Sequence, residues 1–201
     1  MDLDAVEVRV LGCLVEKQRT TPDVYPLSLN ALRAACNQST NRDPVVEFDE
    51  ATIREALEGL SRRRWVRLAS GAGSRATKYR HLLDEALGLD GPEIAVLTVL
   101  MLRGPQTPGE LRSRTERLHR FDGGEELRGA IDRLAGRDLV AGIGRRPGQK
   151  EERYAHRLGE AEEAEGEVGP TLEERVARLE SEVERLKNAV QAADSAVKPL
   201  A

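Results

Sequence analysis

Two stretches of the chain share one spacing of apolar and polar positions. TIREALEGLSRRRWVRL begins at Thr52 and ELRGAIDRLAGRDLVAGI at Glu126, and they align without a gap. Ala56 falls on Ala130, Leu57 on Ile131, Leu60 on Leu134 and Val66 on Val140. Apolar residues at steps of three and four predict a helix with one buried face. Short apolar runs follow, Trp65–Leu68 and Leu139–Ile143, then glycine- and arginine-bearing turns and the returns KYRHLL and RYAHRL. Tyr79 lies on Tyr154 and His81 on His156. Each copy therefore predicts a helix feeding a two-stranded hairpin.

The residues before each copy extend the pattern. Val6, Val10, Cys13 and Leu14 predict a first helix capped by Asp2 or Asp4, and Ser28 caps a short second helix. In the second half, Glu93–Leu102 repeats the first helix, and Thr107 with Pro108 repeats the second start. Helix, helix, helix, hairpin is the order of a winged helix. The predicted fold is mainly α with small β-hairpins (α+β): two tandem winged-helix domains, then a C-terminal coiled-coil helix. The expected boundaries are 1–84, a linker at 85–91, 92–158, an acidic linker at 159–170 and the coiled coil at 171–198.

The tail carries its own periodicity. Leu172, Val176, Leu179, Val183, Leu186 and Val190 alternate at four- and three-residue steps, with valine at a and leucine at d. That choice favours a parallel two-stranded coil. Arg175 then faces Glu180 of the partner helix and Glu182 faces Lys187, both attractive pairs. A homodimer is expected; the alternative is an amphipathic helix folded back on its own chain.

Charge sharpens this picture. The net charge is −4, but residues 159–201 hold 5 basic and 11 acidic side chains, whereas residues 91–158 hold 13 and 10. Local charge governs contact with phosphate, so the second copy is open to nucleic acid. Aromatics are only 3%, so the cores are aliphatic and small, unlike those of a deep-pocketed enzyme. There is no secretory leader pattern, no apolar run near about 18 residues, and no metal or redox spacing of Cys13 and Cys36. A cytoplasmic protein with reduced thiols in its core is expected.

A winged helix sets its third helix in the major groove and its wing on the backbone. Arg54 on the first such helix, Arg75 and Lys78 on the first wing, and Arg145, Arg146 and Lys150 on the second are the candidate DNA contacts. The loop Asn37-Gln38-Ser39-Thr40-Asn41-Arg42 adds Asn37, Gln38 and Asn41 for adenine and Arg42 for guanine or phosphate. Glu55 and Glu58 oppose DNA and favour a protein-binding adaptor instead. No Ser/His/Asp arrangement, phosphate loop or metal spacing is present, so a non-enzyme with no cofactor is expected. His81 and His156, at equivalent strand positions, point to structural roles.

Leu11-Gly12-Cys13-Leu14-Val15-Glu16-Lys17, Thr21-Pro22-Asp23, Tyr25-Pro26-Leu27-Ser28-Leu29-Asn30, Ala35-Cys36-Asn37-Gln38 and Asn41-Arg42-Asp43-Pro44-Val45 resemble the YceH-like family of uncharacterised bacterial proteins. The match is specific over Leu11–Val45 and looser to Leu158. The resemblance implies a tandem winged-helix fold and a bacterial cytoplasmic protein, and implies no activity.

Overall fold

The computed structural model describes residues 2–69, 77–144 and 151–159. Residues 1–161 form one compact unit. Seven helices and two small antiparallel sheets make up its described part.

Helix α1 (Ala5–Thr20) starts at Asp4, whose carboxylate accepts from the Glu7 backbone while the Glu7 side chain accepts from the Asp4 N–H. This reciprocal box satisfies two of the orphan N–H groups of a helix start. After a single 3₁₀ turn, β1 (Leu27–Ser28) leads directly into α2 (Leu29–Cys36), capped by Ser28. Helix α3 (Glu50–Arg62), β2 (Val66–Leu68) and β3 (Lys78–His81) complete the first copy. A short α4 (Leu83–Leu87), anchored by the fully buried Leu83, leads to α5 (Gly91–Arg103). Then come α6 (Pro108–Thr115), α7 (Gly124–Gly136), β4 (Val140–Gly142) and β5 (Tyr154–His156).

The repeat holds residue by residue. Helices α3 and α7 have matching ends in the gapless alignment. Val66 pairs with His81 and Val140 with His156, in the same antiparallel register. Leu27 bridges Tyr79, and Gln106, its counterpart one residue before the second cap, bridges Tyr154. The α1 and α5 starts carry the same Asp-x-x-Glu box, at Asp4–Glu7 and Asp90–Glu93.

The copies meet through their first helices. On α1, Gly12 lies so close to α5 that a Cβ there would stand 2.9 Å from the Leu102 side chain. This is tighter than side chains pack, so glycine is what permits the approach. Val10, Leu11, Leu14, Leu97 and Leu100 are all fully buried in the shared core. The Leu3 N–H donates to the Leu158 carbonyl at 3.0 Å, tying the start of the first copy to the exit of the second.

Candidate nucleic-acid interface

The amide-rich loop between α2 and α3 is a clamp rather than a reading surface. Asn37 donates from Nδ2 to the Phe48 carbonyl at 2.8 Å and accepts from the Phe48 N–H at 2.9 Å, closing the loop base. Arg42 is buried and spends all five N–H donors inside the protein. Its Nη1 and Nη2 donate to Glu16 at 3.1 and 2.6 Å, and its Nε to the Ala35 carbonyl at 3.1 Å. The other two bonds go to the Asn41 carbonyl and to Gln38 Oε1. Burial alone would raise the Glu16 carboxyl, but the two Arg42 bonds prevail and hold it below the usual range.

The far side of the loop reaches the second copy. The Asp43 N–H donates to the Leu102 carbonyl at 2.9 Å, one of the open carbonyls at the α5 end, and Arg103 donates to Asn41 Oδ1. Arg42, expected to take guanine or phosphate, and Asn37, expected to read adenine, are thus placed in the clamp, where every Arg42 donor has a partner within the fold. Gln38 and Asn41 also hold the clamp through their side-chain oxygens.

The histidines share one structural task. His81 Nδ1 accepts from the Leu83 N–H at 3.3 Å and His156 Nδ1 from the Leu158 N–H at 3.4 Å. Burial pushes both down to about 4, so each is neutral near pH 7. Cys13 and Cys36 are free and fully buried. The Cys36 thiol is pushed up by its hydrogen bond with Cys13 and by burial. Among the described residues no group of His, Cys, Asp and Glu is suited to hold a metal.

The open polar surface lies elsewhere. On α3, Arg54 is exposed and pairs with Glu50 at 3.0 Å along the helix. On β3, Lys78 is half-buried, and the neighbouring Arg80 pairs with Glu85 at 3.0 Å. Arg75, Arg145, Arg146 and Lys150, with the heptad residues Leu172 to Val190, lie outside the described residues.

In the second copy a cleft of about 630 Å³ opens between α6, α7 and β5. Pro108, Leu127, Ile131 and Tyr154 line it together with Arg112, Arg128 and Glu125. Neither guanidinium makes an ion pair or hydrogen bond among the described residues. The capping box of Thr107 and Glu110 fixes α6 and so places Arg112. The apolar face of α7, Leu127 and Ile131, is buried and turns Arg128 outward. Sequence spacing alone does not set Arg128 apart and gives no signal for Arg112. Aligning the second helices on their caps Ser28 and Thr107 would have found it, because Arg33 then falls on Arg112.

Comparison with known proteins agrees with the resemblance. Residues 3–149 match the family described as a protein of unknown function, DUF480. A UPF0502 protein of Pelobacter propionicus is 50% identical, over 94% of this chain and 92% of the relative. One from Azotobacter vinelandii is 51% identical, over 81% and 72%. The UPF0502 protein YceH of Salmonella newport is 44% identical, over 92% and 93%. The chain belongs to this DUF480 (UPF0502) family of bacterial proteins.

Proposed function

We propose that the chain is a DNA-binding protein of the tandem winged-helix type, a transcriptional regulator or nucleoid-associated factor. The observation that carries this reading is the doubled helix–helix–helix–hairpin unit, whose third helices bury one face and leave Arg54 and Arg128 on the other. In a winged helix that outer face meets the major groove and the hairpin meets the backbone. The wing residues Arg75, Lys78, Arg145, Arg146 and Lys150 supply further cations for phosphate. The valine-and-leucine heptad supports a parallel homodimer, which would bring two such units to one duplex.

Two free, buried cysteines support a reducing compartment, the bacterial cytoplasm. Among the described residues no helix is long and apolar enough to cross a membrane.

The test is a titration of the full chain against mixed-sequence duplex DNA at 50 and 200 mM salt. Micromolar or tighter binding at the lower salt, falling steeply at the higher, is expected from counterion release. Failure to bind at 50 mM overturns the reading. The second reading, a protein-binding adaptor, is favoured by the exposed Glu55 and Glu58 on α3 and by Leu68 and Ile143, exposed at the hairpins.

A further inference from the structure

The two copies carry the same arginines with different neighbours. Arg33 on α2 and Arg112 on α6 occupy equivalent places, as do Arg54 on α3 and Arg128 on α7. In the first copy one of these arginines meets an acid. Arg54 pairs with Glu50. Asp49, the α3 cap, is held below the usual carboxylate range by Thr52 first, and Arg33 adds to the effect. In the second copy glycines stand at both acidic positions: Gly123 is the α7 cap and Gly124 its first residue. Arg112 and Arg128 are left with no ion pair among the described residues, facing one cleft of about 630 Å³. Glu125 is the acid among the cleft's described lining residues.

A planar guanidinium fork matches phosphate oxygens bidentately, and two unspent forks on one cleft favour an anion over any neutral guest. Buried Leu127 and Ile131 in the floor and Tyr154 at the side suit the sugar that accompanies a backbone phosphate. Resting on the DNA-binding reading above, we propose that the second copy alone seats the phosphodiester backbone of duplex DNA, between α6 and α7 on Arg112 and Arg128. In the first copy, Asp49 and Glu50 close the equivalent face to phosphate. The repeat thus serves as its own control: one scaffold and the same arginine pair, with Asp49 and Glu50 where the second copy has Gly123 and Gly124.

The experiment is fluorescence anisotropy with a labelled mixed-sequence duplex at several salt concentrations. It compares the wild-type chain with R112E/R128E, R33E/R54E and the swap G123D/G124E. A Cβ at Gly123 or Gly124 meets nothing within 4 Å, so the swap changes charge without crowding. Circular dichroism confirms the fold of each variant. R112E/R128E is expected to bind at least about tenfold more weakly at 50 mM salt, with a salt slope smaller by about two. R33E/R54E is expected to lose less affinity than R112E/R128E, and G123D/G124E weakens binding in the direction of R112E/R128E.

Equal losses from the two arginine pairs overturn the division between copies while leaving DNA binding standing. No wild-type binding at 50 mM salt overturns both readings. Polyglutamate serves as a competitor. If R112E/R128E loses affinity for polyglutamate and keeps its affinity for duplex, the cleft belongs to an acidic peptide and the proposal fails.

Discussion

Arg42 and Glu16 are joined by two parallel guanidinium–carboxylate bonds of 3.1 and 2.6 Å, with the arginine side chain wholly enclosed and the carboxylate only 15% exposed. The pair fastens the α2–α3 loop to α1, and the same loop reaches the end of α5. Removing one partner strands the other charge in a place it shares with little water. Arg42→Ala is expected to cost about 3–5 kcal/mol in urea unfolding. Arg42→Lys keeps the charge but loses the fork and the Nε bond to Ala35, and is expected to recover only part of that loss. A cost below about 1 kcal/mol for Arg42→Ala would show that the clamp does not depend on this pair.

Glycines in two helices make opposite predictions. On α1, a Cβ at Gly12 meets Leu102 at 2.9 Å and Met101 at 3.2 Å, at the junction of the two copies. Gly12→Ala forces the helices apart and is expected to cost about 1–3 kcal/mol. On α7, a Cβ at Gly129 meets only the end of Arg133 at an ordinary 3.5 Å. Gly129→Ala is expected to stabilise by up to about 1 kcal/mol, because alanine loses less backbone entropy in a helix. Thermal midpoints of the two variants should move in opposite directions, and a shared direction refutes the packing argument.

Acid stability follows from the two matched histidines. Their folded values, about 4, lie below the ordinary 6.5. Between those limits the unfolded chain binds protons that the folded chain refuses, so stability falls as pH drops from 6.5 toward 4. Each histidine contributes at most roughly 3 kcal/mol over that window. Glu16, held below its ordinary 4.5, adds a further loss at lower pH. Urea midpoints measured from pH 7 to 4 check this. His81→Asn, which keeps an acceptor near the Leu83 N–H, should flatten the slope between pH 6.5 and 4. An unchanged slope in that variant would remove His81 from the account.

Sequence spacing exposed the repeat because helix period and strand register are local properties. Ile53, Ala56, Leu57 and Leu60 line the buried face of α3 as their spacing requires, and the pairing of Val66 with His81 recurs in Val140 with His156. Tertiary position was not legible in the same way. Nothing near Arg42 in sequence announces Glu16, 26 residues earlier, so an arginine in a polar loop read as a DNA contact. The linker expected at 85–91 overlaps the end of helix α4, whose five residues are too few to display a period and whose Leu83 is held by burial rather than by propensity. Strand β1 is two residues long and merges with the cap of α2, so only its pairing with Tyr79 and Lys78 defines it. The arginine cleft depends on comparing the copies: Gly123 and Gly124 are informative only beside Asp49 and Glu50.

The heptad makes a prediction separable from the rest. With valine at a and leucine at d, and with Arg175 set to face Glu180 and Glu182 to face Lys187 of a partner, a parallel dimer is expected. Sedimentation at micromolar concentration is therefore expected to give twice the chain mass of 22.2 kDa. Val176→Asp with Val183→Asp puts charge at two adjacent a layers and should yield a monomer. Residues 1–161 form one compact unit by themselves, so the urea midpoint of the monomer should match that of the wild type. Its affinity for a long duplex should fall by tenfold or more, because a dimer converts the second contact into an intramolecular one. A wild-type monomer would remove the dimer. A monomeric variant with unchanged DNA affinity would keep the dimer and deny it a part in binding.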